Sequence, residues 1–254
     1  MASMLNLLIV AGTAILSVRL FVSGLYRRYR VFFIYLVFAT LHVGLFAFLK
    51  QGGRAYQQVW VLTEPLDWLF YVSVVIEIYG LVLQDYKGLS TAGRWALIVA
   101  VAVALLASGI SLTAPSHYAQ SHLMTYYYVA ERAVYFSLLV FLVSILGLLM
   151  QYPITLSRNI IVHSMVFSVY FVGNTVLYLL LSMRGAASIA VVTYALPAIT
   201  LAAVGAWLVL LNPAGEVRKL SLRPQWMPGR EEELVNQLNN LNAALLRATG
   251  NRPK

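Results

Sequence analysis

An all-α membrane protein, a seven-transmembrane helix bundle with its N-terminus outside and C-terminus inside, is the fold that three observations predict. The 254 residues are 61% hydrophobic and only 11% charged, with a mean hydropathy of +0.78. That is too little charge to cover a soluble surface of this size. Seven apolar runs each approach the roughly twenty residues needed to cross about 30 Å of hydrocarbon. They fall at about 4–25, 31–49, 58–83, 94–113, 123–150, 158–182 and 188–212. The loops between them are short, so consecutive helices should be antiparallel neighbours.

The first run has no positive charge ahead of it and no small-residue cleavage site; Arg19 follows the apolar stretch. It reads as an uncleaved membrane helix rather than a signal peptide. The second carries His42, and the third carries Glu64, Pro65 and Asp67, with Glu77 placed to cap a loop at its inner end. In the fourth, Ala96, Ala100, Ala104 and Ser108 form a small-residue stripe of the kind that lets helices approach closely. The fifth carries Glu131 and Arg132. The sixth presents His163, Phe167, Tyr170, Asn174 and Tyr178 on one stripe. The seventh contains Pro197 and a second stripe, Ala198, Ala202 and Ala206, which packs inside the bundle.

Basic residues set the orientation. With the N-terminus outside, the inner side holds Arg27, Arg28, Arg30, Lys87, Arg94, Arg158, Arg218, Lys219 and Arg223, against Lys50, Arg54 and Arg184 outside. The net charge of +9 therefore belongs to loops that meet anionic lipid, and no nucleic-acid partner is expected. The reading places the chain in the inner membrane of a cell, as a multi-pass protein. Without cysteine there are no disulfides, no thiol catalysis and no cysteine-ligated metal.

Two regions follow: a membrane domain, 1–212, and a cytoplasmic tail, 213–254. The stretch from Pro213 to Gly229 mixes basic residues with Leu220, Leu222, Trp226 and Met227, which suits a segment lying on the inner leaflet. Arg230–Thr249 reads as a short amphipathic helix. Leu234, Leu238, Leu241 and Leu245 repeat at coiled-coil spacing, and Glu231, Glu232 and Glu233 suit the positive end of its dipole. Two heptads are marginal alone. The helix must dock on cytoplasmic loops, on another cytoplasmic protein, or on its own copy.

Ionisable groups at membrane depth are the candidate site, because each needs a partner, a cavity or a ligand. At 1.5 Å per residue, His42, Glu64, Asp67, Glu131, Arg132 and Asn174 share one slab about 9–14 Å beneath the outer surface. Glu64, Asp67 and Tyr71 lie on one helix face, and Tyr127, Tyr128 and Tyr135 flank the Glu131–Arg132 pair. Facing inward with Tyr170, these make an aromatic-walled cavity with a few polar groups, the chemistry of a small-molecule site. Two readings stand side by side: an ion pair of Arg132 with Asp67 or Glu64 that holds the bundle together, and a pocket for a small polar or cationic ligand. No catalytic residue, metal or cofactor is expected. The seventh run has no lysine for a retinal Schiff base, and His42, His117, His122 and His163 lie at different depths.

The segments REEELVNQLNNLNAALLR and AERAVYF, with the seven-run topology, resemble uncharacterised bacterial seven-helix membrane proteins and the seven-helix sensory modules that precede histidine kinases. The resemblance implies a receptor-like sensor reporting through its tail, and transfers no catalytic residue. Its rivals are a proton- or ion-coupled transporter, an intramembrane enzyme and a structural scaffold.

Overall fold

The computed structural model describes residues 2–49, 53–84, most of 88–106, 122–151, 155–217, 219–221 and 231–248. Helix α1, Ala2–Val22, ends just before Gly24, whose φ of 73° is open to a residue without Cβ. A 3₁₀ turn, Leu25–Arg27, leads into α2, Arg30–Phe48. The first N–H groups of α2 are capped by its neighbour α3, Arg54–Val82. Glu77 Oε1 accepts from Val31 N–H at 2.8 Å and Oε2 from Phe32 N–H at 3.0 Å. A carboxylate there meets both the orphan donors and the positive end of the helix dipole.

The described residues between 88 and 106 are helical and form α4. Then come α5, His122–Gln151; α6, Arg158–Arg184; and α7, Ile189–Leu210. Both α3 and α4 begin before the apolar runs at 58 and 94, because each opens with polar residues that hydropathy does not count. Residues 107–113 of the expected fourth run lie outside those described.

Packing neighbours close a ring: α1 lies on α2 and α7, α2 on α3, α3 on α5 and α6, α5 on α6, and α6 on α7. Helix α4 is tied to α3 where Tyr79 O–H donates to the Leu89 carbonyl at 2.7 Å. The ring is apolar outside and polar within. Leu41, Leu62, Val169 and Val209 are exposed, while Glu64, Glu131, Asn174 and His163 are buried. Among the described residues, five helices are long and apolar enough to cross a membrane: Met4–Val22, Gln58–Val82, Val129–Gly147, Arg158–Leu181 and Ile189–Leu210. The apolar part of α2, Arg30–Phe46, is shorter. The chain is a multi-pass, all-α membrane protein.

Close approaches on α7 do not use its alanine stripe. Ala198 and Ala202 are exposed; the tight contacts are Val204 against Gly12 of α1 and Ile199 against Gly173 of α6. Because α7 is apolar all round, its composition does not reveal which face turns inward. In α4, Ala100 is exposed, and the side chains of Ala96, Ala104 and Ser108 lie outside those described.

At the arginine-rich end the chain ties itself together. After α7, a short α8, Ala214–Val217, and a strand β2, Lys219–Ser221, return to the bundle. There β2 pairs antiparallel with β1, Thr155–Ser157. Glu216 is the hub: it accepts from Tyr29 O–H at 2.6 Å and Asn159 Nδ2 at 2.7 Å, and pairs with Arg28 at 2.9 Å. Burial and this carboxylate hold the Tyr29 phenol well above its usual range, so it remains a donor. Residues 214–217 and 219–221 therefore fold against the bundle; Trp226 and Met227, which carry much of the expected leaflet segment, lie outside the described residues. A Cβ on Gly215 would run into the Asn159 amide. Gly215→Ala is expected to break the Asn159–Glu216 bond and destabilise the bundle by about 1–3 kcal/mol, measured by thermal unfolding in detergent.

The tail helix α9, Glu231–Ala248, docks on the start of α4. Leu238 is buried, Leu245 packs on the core, and Asn242 Oδ1 accepts from Gly88 N–H at 2.7 Å. Of the proposed heptad, Leu241 is 46% exposed, and the side chain of Leu234 lies outside those described.

Candidate functional site

The six-helix ring encloses a cavity of about 260 Å³ lined from all six members. Its polar part is built mainly on α3, α5 and α6. Glu64, Asp67 and Tyr71 line it at offsets of three and four along α3, and Glu131 and Tyr135, four apart, line it from α5. Tyr170, Asn174 and Tyr178 contribute from α6, and His42 from α2.

Two expected members stand apart from this set. Arg132 does not line the cavity; consecutive helical residues point about 100° apart, so Glu131 facing inward turns Arg132 away. The side chain of Tyr128, like that of Tyr127, lies outside those described. Asp67 pairs with His42, Oδ2 to Nδ1 at 3.1 Å. The other imidazole nitrogen, Nε2, lies 2.7 Å from Thr63 Oγ1, and that hydroxyl donates to the Val59 carbonyl at 2.8 Å. Phe38 stacks on the imidazole and Phe46 meets it edge-on, fixing its plane.

The remaining two acids face each other. Glu64 and Glu131 are 7% and 3% exposed, and their carboxyls are in direct contact across α3 and α5. Tyr135 O–H donates to Glu131 Oε1 at 3.2 Å; Glu131 Oε2 is buried without a hydrogen-bond partner. Beside them runs a chain of phenols, Tyr71 to Tyr170 at 2.8 Å and Tyr35 to Tyr71 at 3.4 Å. Asn174 donates to the Tyr170 carbonyl at 2.7 Å, which orients its amide. Tyr35 was not singled out from the sequence, although it precedes His42 by seven residues and so shares its face.

The cavity is deeper than an outer slab. Its walls run from Phe167 to Tyr178 on α6 and from Pro197 to Trp207 on α7, about 15 Å along the axis. Phe167 and Trp207 form the apolar floor. Beneath it His163 is fully buried, its ring 4.6 Å from Tyr29 and 4.5 Å from Phe32, with no hydrogen-bond partner on either nitrogen.

Among the described lining residues there is no lysine or arginine: three carboxyls face one imidazole. Among the described residues no group of three or more His, Cys, Asp or Glu is placed to hold a metal ion. Such a chamber, walled by phenol rings and carboxyls, suits positive charge on an organic group, through ion pairing and cation–π attraction. Comparison with family models, curated proteins and solved structures finds no match to this chain.

Proposed function

We propose that the chain is a seven-span, receptor-like sensor of the inner membrane, acids outward and arginines inward, whose ring binds a small cationic ligand such as an amine. The observation that carries this is the Glu64–Glu131 carboxyl pair, left without a basic partner among the described cavity residues once His42 is engaged by Asp67. A volume of about 260 Å³ falls just below the usual range for ligand pockets, roughly 300–1,000 Å³, which favours a small molecule.

An output route is available. Pro197 lines the cavity and lacks the N–H that would bond the Thr193 carbonyl, which makes a weak point in the α7 hydrogen-bond ladder. Helix α7 leads directly to α8, to Glu216 and to β2. The tail helix rests on α4 through Asn242 and Gly88, so a shift of the bundle alters its docking. Proton- or ion-coupled transport is the second reading, favoured by the phenol chain and by unpartnered His163 beneath the floor.

Hydrogen exchange of 231–248, measured with and without small primary amines, tests the first. Amine-dependent protection or release is expected in wild type and absent in Glu131→Gln. Amine binding with unchanged exchange in the tail, together with pH-driven amine uptake into proteoliposomes, would replace the sensor by a carrier.

A further inference from the structure

Four arginines crowd the turn between α1 and α2, and the fold uses only two of them. Arg19 Nη2 donates to the Leu211 carbonyl at 2.8 Å, closing the end of α7, and Arg28 pairs with Glu216 at 2.9 Å. Arg27 and Arg30 make no ion pair among the described residues. Glu77, whose charge bears on Arg30, already accepts from the Val31 and Phe32 N–H groups.

Both free arginines flank one surface cleft of about 540 Å³, lined also by Tyr26, Phe33 and Ile34. Arg27 donates through Nε to the Tyr26 hydroxyl at 3.3 Å and lies over that ring at 5.8 Å, and Arg30 donates through Nε to the Arg27 carbonyl at 3.2 Å. That leaves the terminal nitrogens, the part of a guanidinium fork that matches phosphate oxygens. The other wall is apolar. The lining rings of Tyr26 and Phe33 pack with Phe21 in a three-ring cluster, centroids 5.0, 5.7 and 6.3 Å apart, and Phe21 and Ile34 are 56% and 54% exposed. The cleft opens just past Val22, where the Met4–Val22 span ends, the depth at which headgroups meet acyl chains.

We infer that this cleft is a binding site for an anionic phospholipid. Arg27 and Arg30 clasp its phosphate, while the Phe21–Tyr26–Phe33 cluster and Ile34 receive the upper acyl chain. A soluble phosphate would use the arginines and leave the aromatic cluster against water, so the lipid fits both walls. The same turn carries Arg28 and Tyr29, two of the three residues that hold Glu216, and a bound lipid stiffens that latch.

The test uses the full chain in vesicles of equal phosphatidylcholine and phosphatidylglycerol, with retained lipids counted by native mass spectrometry after extraction. Wild type is expected to retain phosphatidylglycerol preferentially. The double variant Arg27→Gln/Arg30→Gln should lose that preference by roughly thirtyfold, given the attraction of each basic residue to an anionic surface. Arg27→Lys/Arg30→Lys should keep part of it. Arg184→Gln, at the opposite end of α6, should keep all of it. Unchanged preference in the double glutamine variant, equal loss in Arg184→Gln, or displacement of the lipid by inorganic phosphate at matched concentration would each overturn the assignment.

Discussion

Glu131→Gln and Glu64→Gln, made singly, are each expected to abolish the thermal stabilisation that small primary amines give the wild-type protein. An amine at about one hundred times its dissociation constant stabilises the folded state by about 2.7 kcal/mol. For a chain of this size that corresponds to roughly 5–10 °C in the unfolding midpoint. Glutamine keeps the volume and hydrogen-bonding shape of the side chain and removes only its charge, so packing against Tyr135 and Tyr178 survives. What goes is the attraction of a charge for a cation between buried carboxyls, where such pairing exceeds its surface value. Both single variants should fail because the two carboxyls are neighbours and the proposed ligand would need both. Neutral isosteres of the amines should produce no shift in wild type. An equal shift in the glutamine variants, or with the neutral isosteres, would defeat the cationic-ligand reading.

What the sequence made legible follows from the physics of each signal. Apolar runs mark membrane helices without any knowledge of neighbours, so five helices of spanning length and apolarity stand where runs were read. Short loops implied that consecutive helices are neighbours, and the ring follows chain order; which face of each helix turns inward was not legible. In lipid the outward and packed faces are both apolar, and no moment distinguishes them. Within the site, spacing of three and four placed Glu64, Asp67 and Tyr71 on one face, and the cavity lies there. Arg132 was drawn in by its proximity to Glu131 along the chain, yet adjacency on a helix is divergence in space. His42 had been noted for its depth, but its pairing with Asp67 depends on the approach of α2 to α3. The Glu216 hub was invisible for a different reason. It joins Tyr29, Asn159 and Arg28 across more than fifty residues of chain, in turns that carry no periodic pattern.

The His42–Asp67 pair should behave as one unit in a double-mutant cycle. Asp67 lies at 13% and His42 at 11% side-chain exposure, deep enough that removing one partner strands the other. His42→Phe is expected to cost about 3–5 kcal/mol, the penalty for leaving a buried carboxylate unpaired. Phenylalanine suits the gap between Phe38 and Phe46, so the loss reports charge more than packing. Asp67→Leu is expected to be comparably harmful, because the imidazole then keeps only Thr63. The combined His42→Phe/Asp67→Leu variant replaces the pair with two apolar side chains and should be less unstable than the sum, with a coupling of roughly 2–3 kcal/mol. Thermal unfolding in detergent measures all three. If the double variant retains the amine-dependent shift that Glu131→Gln loses, the cluster divides into a structural pair, His42–Asp67, and a binding pair, Glu64–Glu131. Strict additivity of the two single changes would mean that the 3.1 Å contact contributes no stability, and that Asp67 belongs with the other two acids as part of the binding site.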